Sequence, residues 1–204
     1  MKLLADLRSL TPPRRLTALE AYGVAERQAT RLLQRSGVTS APVPIEVITE
    51  LPFVQVARRR LLPASGATRW VKPRWVILLN AYENPARQRF SVAHEFKHVL
   101  DHPHRQATFG ALDSTTKRLA NERLCDYFAA CLLMPRSWVK QAYGSGVQDV
   151  VALAERFEVS PQAMHVRLLQ LGLLDRHSRC RGIDNSTDEI YLRSLPVSPL
   201  ELAA

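Results

Sequence analysis

The segment from residue 85 to about residue 100 constrains the fold most strongly, because its sequence pattern repeats every three or four residues, which is the period of an α-helix. Side chains three and four positions apart lie on one face of an α-helix. The run His94-Glu95-Phe96-Lys97-His98 lies inside this segment. On a helix, His94 and His98 are one turn apart and can direct two imidazoles to the same point, whereas Glu95 is rotated by about 100°.

This H-E-x-x-H pattern predicts a catalytic zinc site. Two imidazoles on one helical face can bind a single ion. A zinc ion lowers the pKa of water towards about 7 and polarises a scissile carbonyl. Glu95 can take the proton of that water and pass it to the leaving amine. The pattern therefore predicts one zinc ion per chain and hydrolysis of a peptide bond.

A catalytic zinc needs a third protein ligand, for which the sequence offers two candidates. Glu122 lies on the next predicted helix. Asp126 follows it by one turn and could accept a hydrogen bond from a ligand histidine, while Asn121 could support the other histidine. His104 follows the first motif histidine by ten residues, the third-histidine spacing of metzincins. Those enzymes have Gly where this chain has Asp101, so Glu122 is favoured.

The other predicted elements surround this pair of helices. A helix is expected at residues 15–35, a short helix at 45–50, and a second long helix at 116–133. Strands are expected at 53–56 and 74–80, joined by a loop at 63–68. Two short helices should follow Gly144-Ser145-Gly146, and residues 189–192 are strand-like.

These elements predict an α+β fold: a short β-sheet packed on two metal-binding helices, then a helical unit. The expected organisation is an N-terminal helical segment (1–40), a metallopeptidase domain (41–143), a helical unit (144–178) and a tail (179–204).

The helical unit resembles a helix-turn-helix. Ser160 should cap a helix whose first residue is Pro161. On a DNA reader, Gln162 would face bases and Arg167 a phosphate. Two alternatives remain open: both helices could pack on the preceding domain, or the unit could recognise a substrate protein.

The net charge and the cysteine content limit the partners and the cellular compartment that we expect for the protein. The net charge of +9 favours nucleic acid, an acidic protein or an anionic surface, although an arginine-rich surface could also reflect base composition. Three cysteines do not form a disulfide framework and fit a reducing compartment, with Cys125 and Cys131 buried as small apolar residues. No apolar run is long enough to span a membrane, and a charge interrupts the first residues too early for a signal peptide. We therefore expect a cytoplasmic protein.

Longer stretches around the motif resemble the ImmA/IrrE family of metallopeptidases. The stretches are Trp75-Val76-Ile77-Leu78-Leu79-Asn80, residues 88–100 (QRFSVAHEFKHVL), and residues 128–135 (FAACLLMP). The resemblance implies a zincin-like fold with zinc ligands His94, His98 and Glu122 and catalytic base Glu95. It also implies that the substrate is a helix-turn-helix repressor, in a stress response or a mobile element. Lys97 and Cys131 depart from the usual Gly and Glu, which bears on substrate fit rather than on metal binding.

Two other functions compete with a regulatory endopeptidase. The chain could be a DNA-binding regulator in which the zinc site is structural or vestigial, or one half of a toxin–antitoxin module. Glu95 favours the endopeptidase, because a purely structural metal site has no use for that base.

Overall fold

The computed structural model describes residues 2–104 and 114–174. The described part is an α+β fold, as predicted, with a three-stranded sheet and eight α-helices. Its elements in chain order are α1 (Lys2–Arg8), α2 (Ala18–Arg35), α3 (Glu46–Thr49), β1 (Val54–Arg59), β2 (Gly66–Val71), β3 (Arg74–Asn80), α4 (Pro85–Asp101), a 3-10 turn (His102–His104), α5 (Ser114–Leu133), α6 (Arg136–Gly144), α7 (Val150–Phe157) and α8 (Pro161–Gln170).

The sheet has the strand order β1-β3-β2, with β1 parallel and β2 antiparallel to β3. The prediction of β3 is confirmed, whereas the predicted loop at 63–68 is wrong from Gly66 onward, where β2 begins. The reason is that β2 is an edge strand whose residues are all partly or fully exposed. It lacks the alternation of buried and exposed residues that identifies a half-buried strand.

The helix that carries the motif is fixed at its N-terminus and along one face. Asn84 caps α4 by accepting a hydrogen bond from the Arg87 amide at 2.8 Å, and Pro85 occupies the first turn, where proline is tolerated. Phe96 is fully buried and packs near Phe128 of α5, with 6.4 Å between ring centroids. Burial of such a side chain stabilises the fold by about 1.5–3 kcal/mol. The motif helix therefore packs between the sheet and α5.

The N-terminal helices pack on this same pair. α1 was not predicted, because only seven residues form it. Arg8, its last residue, donates to the carbonyls of Val99 at 2.7 Å and Leu100 at 3.3 Å, near the C-terminus of α4. A cation there complements the helix dipole. α2 packs against α5, and one cluster of buried residues extends from Leu7 to Leu168.

The C-terminal unit forms the predicted pair of helices. Asp149 caps α7 and Ser160 caps α8 through their side chains, and Glu158 makes the turn between them with a φ of 50°. None of the described helices is long and apolar enough to cross a membrane. Cys125 and Cys131 are buried, as predicted, while Cys180 and residues 189–192 lie outside the described residues.

Candidate metal centre

Three predicted ligands converge between α4 and α5. The Nε2 atom of His94 lies 3.2 Å from Oε2 of Glu122, and Nε2 of His98 lies 3.6 Å from Oε1 of the same carboxylate. Ligand atoms bound at 2.0–2.1 Å in a tetrahedral zinc site are separated by about 3.3 Å. The two separations lie close to this value, although each histidine approaches a different oxygen of Glu122, which is half-exposed at the mouth of the site.

A hydrogen bond orients one of these histidines. Oδ1 of Asp126 lies 2.8 Å from Nδ1 of His94, which directs the opposite nitrogen of the ring towards Glu122. The expected support of His98 by Asn121 is not found among the described residues. Asn121 precedes Glu122 and is rotated away from the site, while Sγ of Cys125, one turn further along α5, lies 3.5 Å from Nδ1 of His98.

The electrostatics of the metal-free site follow from these contacts. Burial lowers the pKa of His94, but hydrogen bonds to Asp126 and Glu122 outweigh it and raise the pKa to about 9. Hydrogen bonds from His94 and then His98 hold the pKa of Glu122 well below its usual range. Without a metal, a charged imidazole and a carboxylate therefore stabilise each other at the position that the metal would occupy.

Cys125 provides an alternative third ligand, since its Sγ and donor atoms of both histidines lie within 4.8 Å of one another. One observation favours Glu122. Cys125 faces Nδ1 of His98, whereas both histidines present Nε2 to the Glu122 carboxylate. The side chain of His104, the other candidate, lies outside the described residues.

The strand that sequence reasoning missed fixes Glu95. Oγ1 of Thr68 donates to Oε2 of Glu95 at 2.7 Å, and Gly66 passes so close that an added Cβ would lie 2.8 Å from Cγ of Glu95. Glu95 is only 6% exposed, so this hydrogen bond compensates part of the cost of burying its carboxylate. No sequence signal identified Thr68, because its role depends on pairing β2 with β3.

Two cavities of about 270 and 240 Å³ flank the ligands, and both are lined by Glu95 and Glu122. The first extends towards Arg87 and Phe90, and the second towards Trp75 and His102. Glu95 therefore faces open space beside the converging ligands, which is the position that a general base for an attacking water requires.

The two residues predicted to contact DNA lie in different surroundings. Gln162 is exposed and lines a third cavity of about 400 Å³, which Glu122 and Asp126 also line. Arg167 is 1% exposed, and its Nε donates to the carbonyl of Met134 at 3.0 Å. The expectation that Arg167 faces a phosphate is therefore wrong, because this side chain anchors α8 to the end of α5. Contact between Gln162 and DNA or a substrate stays a prediction.

Comparison with known proteins identifies the family. The IrrE N-terminal-like domain of the M78 peptidases matches residues 48–169. The radiation response metalloprotease IrrE of Deinococcus radiodurans is 33% identical over 91 residues, covering 42% of this chain and 28% of that protein. A transcriptional regulator of Mycobacterium tuberculosis shares the fold at 20% identity with a TM-score of 0.60, covering 87% of this chain and 54% of that one.

The chain therefore spans about half, or less, of the length of the relatives that it matches. The matched domain includes the motif helix, β3 and α5, so the converging residues lie within it. Because the domain covers more than half of the chain, the protein belongs to the M78 metallopeptidase family of IrrE N-terminal-like domains.

Proposed function

We propose that the chain is a zinc-dependent endopeptidase of the zincin type that cleaves a helix-turn-helix transcriptional repressor and so derepresses genes of a stress response or mobile element. The observation that carries the enzymatic part is the convergence of His94, His98 and Glu122 beside a buried glutamate that is not a ligand. The repressor follows from the family resemblance, and the name of the structural relative agrees with a role in transcription.

Each residue of the site has a separate role in the proposed reaction. A zinc ion bound by the three ligands would supply Lewis acidity, polarising the scissile carbonyl and acidifying water. Glu95 takes the proton of the attacking water and returns it to the leaving amine. Thr68 donates to Glu95 and fixes the carboxylate in the orientation for that transfer. Asp126 accepts from Nδ1 of His94, which leaves Nε2 of this histidine as the donor to the metal.

The free edge of β2 supports a polypeptide substrate. The Asn80 amide donates to the Ser65 carbonyl at 3.1 Å, so the residues of β2 that bond to β3 are the odd-numbered ones. The amides and carbonyls of Gly66, Thr68 and Trp70 therefore point away from β3, and within the described residues none has another backbone partner. An extended chain can pair with this edge, which passes directly beside Glu95.

The first prediction ranks the third ligand. Glu122→Ala should lower zinc affinity by about 100-fold or more, because one of three protein ligands is lost, whereas Cys125→Ser and His104→Ala should retain near wild-type affinity. Competition with a chromophoric chelator measures each affinity. If Cys125→Ser loses zinc and Glu122→Ala retains it, the third ligand is the Cys125 thiolate rather than the Glu122 carboxylate. If only His104→Ala loses zinc, the metzincin arrangement is favoured.

The second prediction concerns pH. With a pKa of about 9 in the metal-free fold against 6.5 unfolded, charged His94 stabilises the metal-free protein fully below pH 6.5, and this contribution is lost as pH rises through 9. Zinc must displace that proton, so affinity should rise by about tenfold per pH unit from pH 6.5 to 9. Asp126→Asn removes one cause of the raised pKa, so its affinity should level off at lower pH. A zinc affinity that is constant over this range contradicts the prediction.

The substrate assignment is tested by co-expressing the chain with helix-turn-helix repressors encoded beside its gene. We expect one cut in one repressor, dependent on zinc, with little degradation of casein. If every neighbouring repressor stays intact under inducing stress while casein is degraded readily, the regulatory proposal is wrong and a general peptidase replaces it.

A further inference from the structure

All the charged side chains in the segment that forms the sheet are cationic. Residues 51–80 contain six cationic side chains and no Asp or Glu, a large share of the net charge of +9. Only one of the six has a polar partner among the described residues: Nε of Arg58 donates to Oε1 of Gln88 at 2.8 Å. The other five are exposed and belong to none of the ion pairs in the described part of the chain: Arg59, Arg60, Arg69, Lys72 and Arg74.

Arg69 lies at the centre of the edge strand. Side chains alternate between the two faces of a strand, and the bond between Thr68 and Glu95 shows that the even-numbered residues of β2 face α4. Arg69 therefore projects from the opposite face, where it lies across from Val76 of β3. Arg74, the first residue of β3, pairs with Val71 and extends the positive surface along this face, while Lys72 lies in the turn between the two strands.

A peptide paired with the edge of β2 would place one residue directly beside Arg69. Because the backbone of Arg69 bonds to β3, that residue would occupy a non-hydrogen-bonded position if the peptide runs antiparallel. Its Cα would lie about 4.5 Å from that of Arg69, with the two side chains on the same face. At this distance, cross-strand pairs of opposite charge attract and pairs of like charge repel.

We infer that the segment which binds along β2 is acidic and carries Asp or Glu beside Arg69, so that the cationic edge selects the substrate of the proposed endopeptidase. This inference rests on the proposed function and adds a substrate class to it. A peptide fits the site better than nucleic acid, because the edge offers alternating amides and carbonyls, whereas a phosphate backbone cannot donate to those carbonyls. The same cations discourage pairing between two copies of this edge.

The expected discrimination is modest at each position and additive along the segment. A solvent-exposed cross-strand pair of opposite charge corresponds to about two- to fivefold in affinity. Arg69→Glu reverses the charge and so replaces an attraction by a repulsion. The affinity for an acidic peptide should therefore fall by about tenfold at low salt. Added salt should reduce the effect, since both groups are solvated.

The test uses the full chain with Glu95→Gln, which prevents cleavage. Three labelled decapeptides of alternating Val and Thr carry Asp, Asn or Lys at the same three Thr positions, and a single-stranded DNA decamer provides the competing anion. Fluorescence anisotropy gives affinities, and hydrogen exchange reports protection of the Thr68 and Trp70 amides. Arg69→Glu is the variant, and Arg31→Glu, an exposed residue of α2, is the control with the same charge change.

We expect the Asp peptide to bind at least about fivefold more tightly than the Asn peptide, the Lys peptide to bind most weakly, and Arg69→Glu to reverse this order while Arg31→Glu preserves it. Protection should appear at Thr68 and Trp70. The inference is overturned if no peptide binds, if the three peptides bind equally, if both variants act alike, or if the DNA decamer binds more tightly and protects the same amides.

Wild-type chain loaded with zinc separates this inference from the proposed function. Cleavage of all three peptides at equal rates would support the endopeptidase and refute the acidic preference. The predicted order of binding with no cleavage of any peptide or repressor would leave the acidic surface in place and refute the endopeptidase.

Discussion

Glu95→Gln should lower the rate of peptide hydrolysis by about 10²–10⁴-fold while the protein still binds zinc with near wild-type affinity. The amide keeps the size of the carboxylate and can still accept the hydrogen bond from Thr68, but it cannot take a proton from water. Glu95 is not among the converging ligands, so its replacement leaves the donor set intact. Cleavage of the repressor and zinc content, measured on the same preparation, separate these two effects.

The matched control is Glu155→Gln, the same change at an exposed glutamate of α7, which should leave both activity and zinc content unchanged. If Glu95→Gln retains full activity, the H-E-x-x-H mechanism is wrong for this chain. If it loses zinc together with activity, Glu95 stabilises the metal site rather than acting as the base. Only the second outcome would favour the rival in which the site is structural.

The residues that the sequence identified are those whose geometry is local. A spacing of four on one helix places His94 and His98 together, and the same spacing places Asp126 with Glu122, so one helical period predicted both halves of the site. Convergence of the two halves required packing of α4 on α5, which the spacing of residues within either helix does not specify. In the structure His94 lies 2.8 Å from Asp126 and 3.2 Å from Glu122, and His98 lies 3.6 Å from Glu122.

The residues that the sequence missed depend on contacts between distant segments. Thr68 reaches Glu95 only because β2 pairs with β3 and passes over α4. Arg167 was assigned to the wrong face, although it lies between Met164 and Leu168 in helical order, and both of those are fully buried. An arginine that lies within the apolar face of a helix is buried together with the apolar residues beside it. Helical position, rather than residue type, was the better guide here.

The role of Lys97, inside the motif itself, also depends on contacts with distant segments. As a departure from the usual Gly it was expected to bear on substrate fit, but its side chain is 1% exposed and points away from the metal centre. Nζ donates to Oδ1 of Asp101 at 2.6 Å and to Oε1 of Gln28 on α2 at 2.9 Å. Gln28 in turn donates to the Leu7 carbonyl at 3.0 Å. The residue therefore connects the motif helix to the two N-terminal helices.

Lys97→Met should destabilise the protein by about 3 kcal/mol. Removing one partner of a buried ion pair leaves the other charge without compensation, which costs about 3–5 kcal/mol when that charge is fully buried. Asp101 is 16% exposed and recovers part of this through hydration, so the lower end applies. The carbonyl oxygen of the Gln28 side chain also loses its donor. Urea denaturation of the chelator-treated protein measures the change without a contribution from metal binding.

Two comparisons test the cause of this effect. Lys140→Met makes the same substitution at an exposed residue of α6 and should change stability by less than about 0.5 kcal/mol. Lys97→Met combined with Asp101→Asn should recover part of the loss, because the second change removes the uncompensated charge. A loss in the double variant equal to the sum of both single losses would show that Lys97 acts through packing alone. A single variant as stable as Lys140→Met would show that the motif helix does not depend on the N-terminal helices.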